Sequence, residues 1–557
     1  MPAPPAAMPN CCSAGAKSRF EFGVHMSDAR AYLRADAVAR PLLNHWVLWD
    51  MLIPPAQSAL VVAKQQLPIL ESYLRAPEQH ALAARDPALM GGPWINYPTP
   101  RTEEIRQLRE RSLLVQSEAL ALAAALKAVE TLLRQQATGQ SLEPLYAQLP
   151  SELAGLVELV YDLNDHPGLR LMEGLLYRSR FYRRDLQQFA FGRVDRDWLP
   201  YERSTPVLEA PDSPVVALPW DDARLDALFA AEQQPVAIAE LGERLGLSAA
   251  QHAGFARLFD AVPAPQRHRP PDGGLRLRYL GHACLLIESE QVSILTDPFV
   301  AYDYQADPPR YTLADLPARI DYVLITHGHS DHIRPEILLR LRHRIGTVVV
   351  PHSAGRRLQD PSLKLMLQAL GFTQVIELHE FERIALPGGA ITALPFLGEH
   401  SDLDIQGKAG YHIRLNDCSA ACLADSCNLD PQLYQHVAAE LGAVDALFLG
   451  MECEGSPLSW GYGHLLSRRI DPKLDRSRRD RGSHADEAIA LIDRWPAQRA
   501  YVYAMGQEPW LNHVLAINQS GEHLGLREAD RFLAHCRARG IEGERLFGMK
   551  ELHLPAG

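Results

Sequence analysis

Residues 322–332 read Tyr322-Val323-Leu324-Ile325-Thr326-His327-Gly328-His329-Ser330-Asp331-His332. A strand-like apolar run delivers three imidazoles and one carboxylate into a turn that contains a glycine. His327 and His329, two residues apart in an extended turn, can face the same way and grip one metal ion. Asp331 and His332 follow at once and can reach a second ion close to the first. Two ions held that near each other can share a bridging oxygen, a geometry suited to activating water or dioxygen. A histidine-rich loop that binds nothing is the bland alternative, and the length of the motif behind a β-run counts against it.

The chain upstream has the same texture. Leu275-Arg276-Leu277-Arg278-Tyr279-Leu280 alternates like a strand and ends in Gly281-His282-Ala283. Cys284 to Ile287 forms a second strand, which returns as Val292-Ser293-Ile294-Leu295-Thr296-Asp297-Pro298. These hairpins and the histidine motif resemble the opening of the metallo-β-lactamase fold, which implies an α/β sandwich of αββα type. His282 and Asp297 read as structural residues, Asp297 fixing a turn beside the site.

Composition suits a large soluble enzyme. The 557 residues exceed one ordinary domain, and 47% hydrophobic with 22% charged residues is normal for a globular protein. A net charge of −12 argues against general affinity for nucleic acid. No run approaches the roughly 18 apolar residues of a membrane span. Met1–Lys17 lacks a basic segment followed by an apolar one and does not read as a signal peptide. The eight cysteines are scattered, without a disulfide framework, so a reducing cytoplasmic location is expected.

Pro/Gly-rich punctuation over residues 262–274 marks a linker. Residues 1–273 read as a helix-rich domain, with Thr102–Gln136, Leu153–Leu163 and Leu169–Phe181 helical and two short helices between Ala237 and Phe259. Residues 274–557 alternate short β-runs with helices expected at Pro335–Leu341, Ala354–Leu370, Pro431–Leu441, Ala485–Trp495 and Glu528–Arg539. Such alternation suggests stacked sheets with helices outside, their ligands on loops at one edge.

Three places can complete a dinuclear site. Glu399 and His400 follow a strand in Leu397-Gly398-Glu399-His400-Ser401-Asp402-Leu403, and Glu399 is the sharper candidate. Asp425 follows the run Ala420–Ala424, where the resemblance to the metallo-β-lactamase fold implies a bridging aspartate. A last imidazole should follow the strand Ala500–Tyr503; His513 is preferred and His484 is the rival. Three carboxylates among the ligands and no thiolate favour harder, redox-capable ions over closed zinc sites. Cys418, Cys422 and Cys427 alternate with apolar residues and read as strand-buried thiols.

Gly398-Glu399-His400-Ser401-Asp402-Leu403-Asp404, Phe448-Leu449-Gly450-Met451-Glu452-Cys453-Glu454-Gly455 and Tyr503-Ala504-Met505-Gly506-Gln507-Glu508-Pro509-Trp510-Leu511 narrow the resemblance. They are similar to the diiron β-hydroxylases of non-ribosomal peptide biosynthesis. That resemblance implies an oxo- or hydroxo-bridged pair of irons. His327, His329 and Glu399 would hold one; Asp331, His332 and His513 the other; Asp425 would bridge. It implies Glu399 and Asp425 as catalytic residues, O2 as co-substrate and an external electron donor such as a reductase or ferredoxin. The substrate would be an aminoacyl thioester on a carrier domain, with a docking surface or homodimer interface on the N-terminal domain. The basic stretch Arg468, Arg469, Lys473, Arg476, Arg478, Arg479 and Arg481 is the candidate docking site for an acidic carrier, and Glu452, Trp460 and Trp510 are candidate pocket residues. A dinuclear zinc hydrolase of thioesterase type is the rival reading; a scaffold with a vestigial site is the other.

Overall fold

A computed structural model of the chain describes residues 30–353, 356–517 and 523–554. The Met1–Lys17 stretch lies outside the described residues. Two seven-stranded mixed sheets form the C-terminal sandwich. The first runs in the order 375–378, 345–351, 320–324, 293–296, 284–288, 275–281 and 550–554. The second runs 383–386, 389–394, 410–415, 418–422, 444–450, 497–503 and 542–545.

Period-two alternation decides which side chain enters which layer. Val349 faces the sheet-on-sheet core, while Val348 and Val350 face the helices and the N-terminal region. Ala420 and Cys422 likewise point between the sheets, and Ala421 and Leu423 point to the outer helices. Leu275, Leu277 and Tyr279 enter the inter-sheet core. Their neighbours Arg276 and Arg278 are buried on the other face, paired with Glu288 at 2.8 and 3.1 Å. His268 closes on the same carboxylate at 2.7 Å. Two buried arginines on this penultimate strand are tolerated because one buried glutamate answers both.

The helices Pro335–Leu341, Gln432–Leu441, Ala485–Arg494 and Leu524–Ala538 cover the outer faces. The expected helix Ala354–Leu370 is shorter: among its described residues only Leu363–Ala369 is helical. Pro361 blocks extension backward, and the Asp360 carboxylate holds the preceding loop by accepting from the Gln406 and Gly407 amides.

N-terminal to residue 274, helices are joined by more β structure than expected. A four-stranded sheet pairs Trp46–Val47, Ala37–Leu43, Gln187–Arg193 and Val215–Ala217. The segments read as helices at Leu153–Leu163 and Leu169–Phe181 instead contribute a hairpin, Val157–Tyr161 against Pro167–Leu171, with only Glu173–Leu176 helical. Val157 and Leu159 are buried and Glu158 between them is exposed, a period-two pattern that outweighs the helical one. The long helix read across Thr102–Gln136 breaks at Gln116 into two, bent by 67°. Ile238–Leu245 and Ala249–Ala256 are the expected short helices, separated at Gly246 in a left-handed cap. No single helix among the described residues is long and apolar enough to cross a membrane.

The N-terminal region and the sandwich share one apolar core, in which Trp49, Leu52 and Phe229 belong with Ile325, Ile333 and Leu338. Buried polar contacts cross the same boundary. Arg334 pairs with Glu202, Arg340 donates to the Ala37 carbonyl and to Glu232, and Glu173 accepts from the Ser362 amide at 2.9 Å.

Candidate metal centre

The strand Ile320–Leu324 ends in Ile325 and Thr326, and the next six residues turn across the edge of the sandwich. His327 and His332 are fully buried. Glu399 arrives from the second sheet, after Gly389–Leu394, and Asp425 after Cys418–Cys422. Three ligand groups form, each with donor atoms within 4.8 Å of one another: His327, His329 and Glu399; His282, Asp331 and His332; His327, His332 and Asp425.

The geometry is that of two adjacent sites. His329 Nδ1 lies 2.6 Å from Glu399 Oε1, and His327 Nε2 lies 3.4 Å from Glu399 Oε2. On the other side His282 Nε2 lies 2.9 Å from Asp331 Oδ2 and 3.3 Å from His332 Nε2. Asp425 Oδ2 stands between them, 2.9 Å from His332 Nε2 and 3.8 Å from His327 Nε2. His327 Nε2 is buried and has no hydrogen-bond partner, and Glu399 Oε2 is buried with His400 Nδ1 at 2.8 Å. Buried donor atoms that converge in this way suit a pair of cations.

Neighbouring groups fix the imidazoles. Asp297 accepts from the Thr326 amide at 2.8 Å and from its hydroxyl at 2.6 Å, and its Oδ2 lies 2.8 Å from His332 Nδ1. That contact turns His332 Nε2 towards the centre, the usual outer carboxylate of a metal-bound histidine. Tyr462 Oη sits 2.8 Å from His329 Nε2 and leaves Nδ1 to face Glu399. Lys408 Nζ donates to the Gly398 carbonyl at 2.7 Å and pins the loop that carries Glu399. That loop is strained: residues 398–402 all have φ between 52° and 70°.

The electrostatics are those of closely packed opposite charges. Burial works against charge on Glu399, yet His329, His400 and His327 hold its carboxyl well below the usual range. Burial also disfavours charge on His329, but Glu399, Asp480 and Asp331 raise it to about 9. Burial and the adjacent His332 push His327 well below the ordinary imidazole value. Burial pushes Asp425 up, with His332 opposing.

The structure thus brings together His327, His329, Asp331, His332, Glu399 and Asp425. It does not bring His513 there. His513 lies in the short helix Asn512–Leu515, its ring edge-on to Phe299 at 6.3 Å, and burial with Arg334 nearby keeps it neutral. His484 is also elsewhere, at the start of the helix Ala485–Arg494 and 3.9 Å from Glu528. The imidazole that sequence reasoning set aside, His282, takes the place expected of either. Gly281 at φ +116° and His282 at φ +51° turn the ring off the strand end into the site. Asp297 holds a turn beside the centre, as its position before Pro298 implies. Cys418, Cys422 and Cys427 are buried in or just beyond their strand, and among the described residues no cysteine joins a ligand group.

A cavity of about 400 Å³ opens onto the ligands. Glu452 and Trp460 line it, with Trp49, Asp50 and Arg203 from the N-terminal region. Trp510 does not; it packs with Phe299 and Leu511 beneath Arg310. The basic stretch divides in two. Arg478, Arg479 and Arg481 turn inward, to the Ser401 carbonyl, the Glu454 and Gly455 carbonyls, and Glu487. Arg468, Arg469, Lys473 and Arg476 are exposed.

Comparison with known proteins gives the same picture. Residues 32–263 match the family described as diiron non-heme beta-hydroxylase N-terminal domain, and residues 293–503 match a beta-lactamase superfamily domain. The 4-amino-L-phenylalanyl-[CmlP-peptidyl-carrier-protein] 3-hydroxylase of Streptomyces venezuelae is 37% identical over 545 residues, covering 94% of this chain and all of the relative. The crystal structure of CmlA, a diiron beta-hydroxylase from the same organism, superposes with a TM-score of 0.88 at 36% identity, over 94% of this chain and 99% of that one. A UPF0173 metal-dependent hydrolase of Desulforamulus reducens matches only 65 residues, at 35% identity over 12% of this chain and 26% of its own. The chain belongs to the diiron non-haem β-hydroxylases.

Proposed function

We propose that the chain is a non-haem diiron monooxygenase acting on an amino acid held as a thioester on a carrier domain of a non-ribosomal peptide synthetase, which it hydroxylates at the β-carbon. The observation that carries this reading is the whole dinuclear set, in which three carboxylates, Asp331, Glu399 and Asp425, stand among the imidazoles with no thiolate, a donor set suited to harder, redox-capable ions. His327, His329 and Glu399 would hold one iron and Asp331, His332 and His282 the other, with Asp425 between the two groups. The relative from Streptomyces venezuelae, whose name specifies an aminoacyl group on a peptidyl carrier protein, supports the substrate class.

When bound, the two irons would supply the oxidation: one atom of O2 enters a C–H bond and the other leaves as water, with two electrons from an external reductase or ferredoxin and two protons from solvent. The chain's own residues do the rest. Asp297 and Tyr462 hold the imidazoles in one orientation. Trp49 and Trp460 lie on either side of the Arg203 guanidinium, at 4.5 and 4.6 Å, and form an apolar wall that limits water at the ligands. The N-terminal region is therefore part of the reaction chamber.

The carrier docks on the exposed cations. Asp475 accepts from the Ser459 amide and hydroxyl, and Asp480 from Ser401 and Ser456, so these acids face their own loops. That leaves Arg468, Arg469, Lys473 and Arg476 to an acidic partner, and the helix Pro472–Ser477 that carries two of them packs against Ser456–Pro457 of the cavity wall. The reading is tested by incubating iron-loaded enzyme, a reductant and aminoacyl-loaded carrier under labelled dioxygen. One labelled oxygen in the aminoacyl group is expected; a hydrolysed thioester with oxygen from water would make the chain a hydrolase.

A further inference from the structure

The cavity wall contains one carboxylate that the metal centre does not use and that its surroundings do not satisfy. Asp50 opens a short helical turn of the N-terminal region, between Trp49 and Met51. It is 3% exposed, yet it borders the cavity. Its Oδ1 is buried and has no hydrogen-bond partner. The other non-ligand acids of the wall are answered: Glu452 accepts from the Gly455 amide, Asp480 from Ser401 and Ser456, and Glu454 pairs with His523 at 2.8 Å. A buried carboxylate oxygen without a donor is costly, and such sites persist where a ligand supplies the donor.

We propose that Asp50 is the subsite for the α-ammonium group of the aminoacyl thioester. The proposal rests on the carrier-thioester reading given above. Position supports it. The nitrogen is only two bonds from the reacting β-carbon, so its receptor must lie at the metal end of the cavity, not at the mouth. Asp50 lines the cavity with Trp49, Arg203, His329 and Asp331, and Arg203 over the Trp49 ring donates to Ser330 of the metal-binding turn, which places Asp50 at that end. Burial pushes its carboxyl up to about 6, against the pull of Arg203 and His329, so an arriving cation restores the charged form. Arg203 is itself fixed, between its two indoles and by donation to Ser330 at 2.5 Å, and cannot swing to take both Asp50 oxygens. The N-terminal region thereby reads the one group that every amino acid carries and a plain acyl chain lacks.

The test compares two thioesters on the same carrier. The preferred aminoacyl group is first selected from a panel of chemically loaded aminoacyl carriers, and its des-amino analogue is then made with hydrogen in place of the amine. Iron-loaded wild type should favour the aminoacyl form by on the order of a hundredfold in kcat/KM, since a site built for a polar group rejects the analogue lacking it. Asp50→Asn should lose most of that advantage while its kcat/KM on the des-amino thioester stays within about threefold of wild type. Equal losses on both thioesters, or a preference that survives the substitution, would overturn the subsite alone. A wild type that turns over both equally well would do the same without any variant. Turnover of neither would remove the carrier-thioester reading and the subsite with it.

Discussion

Arg334, two residues beyond His332, forms a two-pronged ion pair with Glu202 of the N-terminal region, at 2.6 and 3.1 Å, with both side chains almost fully buried. The metal-binding turn is therefore anchored from the other side of the linker. Removing one partner leaves an uncompensated buried charge, which costs about 3–5 kcal/mol. Glu202→Ala should lower stability by that amount in urea unfolding, and Glu202→Gln by less, since the amide oxygen still accepts. A loss below about 1 kcal/mol for the alanine variant would mean that the pair is not closed in solution.

His282 and His513 exchange the roles their sequence positions suggest. His282→Ala should lower bound iron from about two per chain towards one, because only Asp331 and His332 would remain on that side with the bridging Asp425. His513→Ala should keep both irons and instead cost about 2–3 kcal/mol of stability by emptying a buried site against Phe299. Iron analysis of the two purified variants decides between them, and retained iron in His282→Ala would return the assignment to another imidazole.

Glu173 predicts a pH dependence away from the metals. Burial pushes its carboxyl up to about 7. A carboxyl whose folded value lies above its unfolded one costs stability as pH rises through that interval, from about 4.5 to 7, and the full cost is present above 7. Glu173→Gln keeps an oxygen for the Ser362 amide and cannot ionise. It should match wild type near pH 4 and exceed it by up to about 3 kcal/mol at pH 8. Equal stability curves at both pH values would contradict the burial argument.

Asp402 ends the strained run that carries Glu399. Its φ is +57° and its side chain is exposed. Glycine accepts that backbone at no steric cost, so Asp402→Gly should raise stability by about 0.5–1 kcal/mol. A lowered melting temperature would show that Asp402 is held there by a contact rather than tolerated.

How much of this was legible in the sequence depended on chain distance. The turn from His327 to His332 carries four ligating side chains in six residues, so spacing alone announced them. Glu399 and Asp425 were recoverable because each follows a strand at the edge where the motif must open. His282 was not, because its approach depends on strand order: its strand lies three positions from Ile320–Leu324 in the sheet. His513 misled because it is near in sequence to the strand Ala497–Tyr503, while its short helix turns the ring towards Phe299. The hairpin at Val157–Leu171 was hidden for a local reason, since short apolar runs satisfy both periodicities and only the burial of alternate residues separates them. Asp50 gave no signal at all; its meaning lies in the cavity that a second region of the chain closes.

The central claim is that this centre holds iron and carries out oxidation. It is tested most directly by elemental analysis and Mössbauer spectroscopy of protein produced with iron-57 and zinc both present. About two irons per chain, magnetically coupled and reducible to the diferrous state, are the predicted result. Two zincs per chain with iron excluded would contradict it, and would make Glu399 the ligand of a hydrolase.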